Sequence, residues 1–342
     1  MKYLFYVSAL GVAIAVGFGK GILQRSALRA ILAWGAVAVG IVFGLFPPIV
    51  GTFSDAATEA KFNRGAAFTV LIPVGGVRQI DSTDLECRDI AGHAVICRGS
   101  NEMIKTVMAQ SNHHNLLLHT RLITHSLYDI TALESAPRIM LPHIPALGEK
   151  ARIIFFHVPA AWTGFFAYIV TMLYSILYLR RKKEEYDIIA LSSASIGTLF
   201  TALAYASGAV WAKFNWGHFF NWDSRELSVL LLLAIYAAYF VLRSNVKGDM
   251  RKRVAATYAV VAAVAAVFLI FIVPRITISL HPGSRDDVNI GPILSPEQDA
   301  LDLTKAMVFS IMLAGITLFF TWMLNVVARY NRYRYHQLGS ET

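Results

Sequence analysis

Seven apolar runs divide this chain, near residues 3–19, 30–50, 153–179, 188–210, 227–243, 254–273 and 305–327. Each is long enough, at roughly 17 to 27 residues, to carry a helix across the hydrocarbon of a bilayer. The polar gaps between them alternate in charge. Lys20, Arg25 and Arg29 fall in one gap, Arg180 to Lys183 in the next but one, then Arg243 to Arg253, then Arg329 to Arg334. Basic connections stay in the cytoplasm, which predicts an N-out, C-in topology. The stretches 51–150, 211–226 and 274–304 then share the outer side. The first run also reads as a signal peptide, but its more basic flank lies after it and no small-x-small site follows. These features favour an uncleaved anchor.

Residues 51–150 form the one sizeable piece outside the apolar runs, and about 100 residues can bury a small core. Ala67 to Val74 and His93 to Cys97 read as strands, Asn101 to Gln110 and Leu116 to Tyr128 as helices. Gly75-Gly76, Gly99-Ser100 and Pro142 to Pro145 punctuate them. A small α+β insertion is expected. Both cysteines of the chain, Cys87 and Cys97, lie here. On the outer side of an energised membrane they are candidates for a disulfide. The alternative is a metal site over Cys87, His93 and Cys97, although that spacing matches no common zinc pattern. His113, His114, His119, His125 and His143 crowd the same stretch without a recognisable ligand spacing.

Composition agrees with the membrane reading, since 56% of residues are hydrophobic and 15% charged. The net charge of +9 is concentrated in the cytoplasmic connections, so no nucleic-acid partner is inferred from it. No Ser-His-Asp or Cys-His arrangement and no Gly-rich phosphate loop is readable, which argues against a hydrolase or kinase.

Chemistry concentrates at three places on the predicted outer side. The gap 211–226 holds three of the six tryptophans, Trp211, Trp216 and Trp222, with Phe219, Phe220, Asp223 and Arg225. Flat aromatic faces at a membrane boundary suit a flat amphiphilic ligand, or serve only as an interfacial belt. Asp223 precedes an apolar run, where it is either a helix cap or part of the site. Arg225 is a carboxylate partner or a snorkelling interfacial arginine. His157 stands at the mouth of the third run and His281 just beyond the sixth, on either side of the aromatic gap. Two neutral imidazoles suit the opposite axial positions of an iron held in a macrocycle. His218, inside the gap, is the rival ligand. Lys213, Arg152 and Arg275 are weaker partners for acidic groups.

The run Trp216-Gly-His-Phe-Phe-Asn-Trp222-Asp223-Ser-Arg225 resembles the tryptophan-rich WWD signature of the haem-handling proteins of c-type cytochrome biogenesis, the group of CcmC, CcsA and CcmF. The run from Arg152 to Trp162 around His157, with Ser-Leu-His281-Pro, is most similar to the CcmC branch. The sequence departs from it in having Phe219 and Phe220 where tryptophans are usual. It also carries an extra N-terminal span and the large insertion.

The resemblance implies a six-helix core, and with the seven apolar runs the chain is expected to be an all-α polytopic membrane protein with that core plus one N-terminal helix. The division would be 1–27 for the extra helix and loop, 28–50 for the first core helix, 51–150 for the insertion, 151–328 for the remaining five helices and 329–342 for a cytoplasmic tail. It also implies non-covalent haem, a b-type haem, ligated by His157 and His281 at the outer face of a prokaryotic plasma membrane. The implied partners are a CcmE-like haem chaperone, CcmA- and CcmB-like transporter subunits and a small CcmD-like membrane subunit. Delivery rather than catalysis is the implied role. A CcsA- or CcmF-type haem lyase core is the alternative, as is a transport or structural subunit without haem. The lyase branch carries further histidines inside the membrane, and none of the predicted spans holds one internally.

Overall fold

The computed structural model describes residues 2–19, 26–62, 65–124, 126–144, 147–281 and 303–340. Lys20, Arg25, His125, Pro145 and most of 274–304 lie outside them. In chain order the elements are α1 (Lys2–Phe18), α2 (Ser26–Leu45), β1 (Ile49–Val50), α3 (Phe53–Phe62), β2 (Ala67–Ile72), β3 (Val77–Gln79), β4 (Asp84–Arg88), β5 (Ala94–Arg98) and α4 (Asn101–Ser111). There follow β6 (Leu116–Thr124), β7 (Leu127–Ser135), β8 (Leu141–Pro142), a 3-10 turn (Gly148–Ile153), α5 (Ile154–Arg181), α6 (Glu184–Trp216), α7 (Ser224–Asn245) and α8 (Gly248–Val267). A π-turn (Phe268–Ile272), α9 (Val273–Ile276) and α10 (Leu303–Ser340) complete the set. They make two compact units, 45–151 and the remainder.

The helical unit is that of a polytopic membrane protein. Among the described residues six helices are long and apolar enough to cross a bilayer, and α1 is a shorter apolar helix. With 17 residues, α1 spans about 26 Å at 1.5 Å per residue, short of the roughly 30 Å hydrocarbon core. Lipid supplies no hydrophobic drive between helices, so close packing rests on small residues. A Cβ on Gly197 of α6 would stand 2.8 Å from the Ala167 Cβ of α5, and one on Gly164 2.7 Å from the Thr201 hydroxyl. Gly315 of α10 lies equally close to the backbone of Ala36 and Val37 in α2. Near the start of α6, the guanidinium of Arg243 makes a two-pronged pair with Asp187, one bond being 2.7 Å long. This pair joins α6 to α7, and the stacked rings of Tyr168 and Tyr236, 3.6 Å apart, join α5 to α7.

The unit 45–151 is built on a six-stranded sheet in the order β2-β6-β7-β5-β4-β3. Its core gathers Val70, Ile72, Leu85, Ile104, Val107, Leu116, Leu118 and Tyr128. Ser100 caps α4 by accepting from the Met103 amide at 3.2 Å, as a hydroxyl ahead of a helix is suited to do. Leu116 to Tyr128, expected as a helix, is instead strand β6 and the start of β7. The Leu116-Leu117-Leu118 run mimics a helical face, but β-branched Thr120, Ile123 and Thr124 favour extended backbone. Pairing with β2 on one side and β7 on the other makes β6 a central strand.

The disulfide is not formed. Cys87 and Cys97 are free and buried, on neighbouring antiparallel strands where Cys87 faces Val95 and Cys97 faces Leu85. A hydrogen bond with Cys87, then burial, push the Cys97 thiol well above the usual range. His93 turns away from them to pair with Asp89 at 3.1 Å, so the metal reading loses its third ligand.

Candidate functional site

His157 lies in the first turn of α5, two residues before the buried Pro159. Its ring rests on α6. Nδ1 is 3.1 Å from the Ser207 hydroxyl, and a Cβ on Gly208 would stand only 2.9 Å from the ring's Cε1. The absent side chain at Gly208 is therefore the space the imidazole occupies.

The aromatic stretch is more helical than its polar residues suggest. α6 continues through Trp211 to Trp216, and only seven residues, 217–223, separate it from α7. Gly217 ends α6 in the left-handed conformation at φ +88°, its amide donating to the Lys213 carbonyl, the helix stop that glycine permits without steric cost. Lys213 donates its Nζ to the Gly217 carbonyl at 2.7 Å. These ends lie at the opposite end of α6 from Arg180 to Lys183, as the charge pattern requires.

Asp223 caps α7 and does more. Oδ1 accepts from the Arg225 amide at 2.9 Å and from the Ser279 hydroxyl at 2.9 Å, while Oδ2 accepts from the Leu280 amide at 2.7 Å. Ser279 in turn accepts from the His281 amide at 3.1 Å. A second tie runs from Thr277 to Ser224 at 2.8 Å, and from Ser224 to the Ile278 carbonyl at 3.2 Å. The buried carboxylate thus holds the backbone that carries His281 against the start of α7. Glu226 closes the turn by accepting from the Asn221 amide at 2.7 Å.

The His281 ring lies 6.5 Å from the Trp211 ring, which packs edge-on against Trp216 at 5.2 Å. Residues 207, 208 and 211 share one stripe of α6, because positions three and four apart lie on the same face. His157 and His281 therefore touch the same stripe about one turn, or roughly 5 Å, apart.

The other aromatic residues form a separate group. Phe220 packs edge-on against Trp222 at 5.1 Å, and Lys213 stands over the Phe219 ring at 5.7 Å. Trp222 is 78% exposed with a left-handed backbone at φ +55°. The aromatic residues of 211–226 thus divide into an inner Trp211–Trp216 pair beside His281 and an outer Phe220–Trp222 pair.

Arg225 is half-buried, and its Nε has no hydrogen-bond partner among the described residues. His157, Asp223 and Arg275 lie within range of its charge. Of the weaker cationic candidates, Arg152 donates to the Gly44 carbonyl at 3.2 Å, Lys213 is occupied at the end of α6, and Arg275 is exposed. His218 is exposed, with its carbonyl accepting from Asn221.

Sequence reasoning missed Ser207, Gly208 and Ser279. Ser207 is 50 residues from the histidine it contacts and Ser279 is 56 from Asp223, so no local spacing reveals either. A glycine inside an apolar run was the one available signal.

Among the described residues no group of three or more His, Cys, Asp or Glu is arranged to hold a bare metal ion. Two imidazoles, a half-buried guanidinium whose Nε has no hydrogen-bond partner among the described residues, and apolar ring faces fit a different cargo, an iron held in an anionic macrocycle.

Residues 110–337 match the family model described as CcmC, Heme exporter protein C, two thirds of the chain. A ccmC-like mitochondrial protein of Marchantia polymorpha is 43% identical over 89 residues, which is 26% of this chain and 39% of that protein. Heme exporter protein C of Bradyrhizobium diazoefficiens is 35% identical over 122 residues, 36% of this chain and 46% of the relative. The protein of that name from Paracoccus denitrificans is 28% identical over 169 residues, 49% of this chain and 70% of the relative. The chain thus spans less than half the length of the first two.

Proposed function

The chain belongs to the CcmC, Heme exporter protein C, family, and from that premise we propose that it handles haem for c-type cytochrome maturation. In this reading His157 and His281 are the axial ligands of a non-covalently held b-type haem. The observation that supports it is their common footing on one stripe of α6, at Ser207–Gly208 and at Trp211.

Bound haem would supply the iron, and this chain's residues would hold and orient it. His157 and His281 offer imidazole nitrogens. Trp211 and Trp216 present an apolar wall, with Phe219, Phe220 and Trp222 at the outer rim. Arg225 brings a guanidinium able to bind a propionate through two parallel hydrogen bonds, and so to orient the macrocycle. Asp223 acts through the backbone it clamps and not by touching the cargo.

The role is delivery and not bond-forming catalysis. The site faces the outer side of a prokaryotic plasma membrane, a CcmE-like chaperone takes the haem, and CcmA-, CcmB- and CcmD-like subunits complete the assembly. An optical spectrum of the detergent-purified chain with added haem, in both redox states, tests the ligation. Low-spin six-coordinate bands are expected, becoming five-coordinate in His157→Ala and in His281→Ala. Wild-type bands in both variants would refute the axial assignment and make His218 the next residue to replace.

A further inference from the structure

Ser207 raises a question of proton bookkeeping. Its hydroxyl oxygen lies 2.9 Å from the Leu203 carbonyl, 3.0 Å from the Ala204 carbonyl and 3.1 Å from Nδ1 of His157. A hydroxyl carries one hydrogen and two lone pairs, while a carbonyl oxygen can only accept. The single hydrogen of Ser207 is therefore drawn to the main chain. What remains for His157 is a lone pair. Both carbonyls belong to the turn of α6 that precedes Ser207, so the acceptor for that hydrogen is built into the helix.

From this geometry we infer that Ser207 is a positioning residue that fixes His157 as the Nδ1–H tautomer, leaving the Nε2 lone pair as the metal-binding atom. The inference rests on the haem-ligation reading and adds to it which nitrogen binds and what selects it. A ligating histidine generally gives its second N–H to an acceptor, which sets the ring's orientation and raises its basicity as a ligand. Here the acceptor comes from the interior of a neighbouring membrane helix. Gly208 completes the arrangement by leaving room for the ring beside that acceptor, since any Cβ there would stand 2.9 Å from Cε1.

The full chain in detergent, titrated with haem, supplies the test through two readouts besides delivery. Ser207→Ala is expected to weaken haem binding by about tenfold or more and to move the midpoint potential upward, because a less basic imidazole favours ferrous iron. Ser207→Thr, which restores the hydroxyl, should return both values toward the wild type. If Ser207→Ala matched the wild type in affinity and potential while His157→Ala opened an axial position, the ligation reading would stand and the positioning role would be overturned. A His157→Ala spectrum identical to the wild type would overturn both.

A second measurement needs no variant to bind haem. In the unliganded chain with nitrogen-15-labelled histidine, the His157 signal is identified by its loss in His157→Ala. Chemical shifts of an Nδ1–H imidazole are expected. Those of an Nε2–H imidazole would overturn the inference even if Ser207→Ala failed to fold.

Discussion

Replacing Asp223 by Asn separates the two duties of this carboxylate. Asn is as good a helix cap as Asp, and its remaining oxygen can keep the bonds to the Arg225 amide and the Ser279 hydroxyl, both 2.9 Å long. The other oxygen becomes an NH2 group facing the Leu280 amide, which now donates to it at 2.7 Å. Two donors then confront one another at a position only 6% exposed. A hydrogen bond to an ionised acceptor contributes about 1.5–3 kcal/mol, and about 1.4 kcal/mol is a factor of ten. Amide exchange at Leu280 and His281 should therefore quicken by about 10- to 150-fold, while the first turn of α7 keeps its protection. Haem retention should fall with it. Hydrogen exchange read by mass spectrometry on peptides covering 277–281 and 224–230 makes the comparison. Equal protection in the variant and the wild type would refute the clamp. Equal loss in both peptides would show that Asp223 is a cap and nothing more.

Other expectations follow from neighbouring features. Arg225→Gln should weaken haem binding by about tenfold or more yet leave the affinity for haem dimethyl ester unchanged, since the ester has no propionate charge to lose; an equal loss for both cargoes would contradict the pairing. Gly197→Ala, placing a methyl 2.8 Å from the Ala167 Cβ, should cost about 1–3 kcal/mol by overpacking and lower the melting temperature in detergent, whereas a raised one would show that α5 and α6 have slack. In the unit 45–151, Arg98 bonded to Asp84, and the Thr83 and Asp84 amides bonded to Asp81, hold both carboxyls below the usual carboxylate range. Groups depressed in the fold stabilise it above the unfolded value near pH 4 and lose that effect as pH falls through the folded one, so residues 80–98 should lose protection, taken relative to their intrinsic exchange rate at each pH, below about pH 4; protection that fell on going from pH 4 to 7 would reverse the sign. Cys97, its thiol raised by Cys87 and burial, should resist alkylation at pH 8 until the chain unfolds, and native modification would count against a closed core.

Much of the fold is readable as runs of apolar residues, because a bilayer requires each crossing segment to satisfy its own backbone. Reading stops where partners are distant. The polar character of Lys213 and Asn215 suggests a loop, yet both side chains bond back to carbonyls within a helix turn, to Gly217 and Trp211, and the helix continues. Leu116 to Thr124 carries no local mark of its two neighbouring strands, since the sheet that decides it is assembled from residues up to 54 positions away. His157 and His281 stand out because of where they sit beside apolar runs. Ser207 and Ser279 do not, for a serine near a helix turn is ordinary until its partner is known. Asp223 was legible as a cap, but its hold on Leu280 was not.

Because both histidine contacts are made on α6, their spacing is set by the phase of one helix and not by the length of any loop. One residue inserted between Gly208 and Trp211 would rotate everything beyond it by about 100° and advance it about 1.5 Å, carrying Trp211 off the stripe that meets His281 while His157 kept its seat. The same residue added at 217–223 would change a turn and leave that phase intact. Length variation among sequences sharing this arrangement should therefore gather in the turn and avoid the helix. The helix serves as the molecule's gauge block.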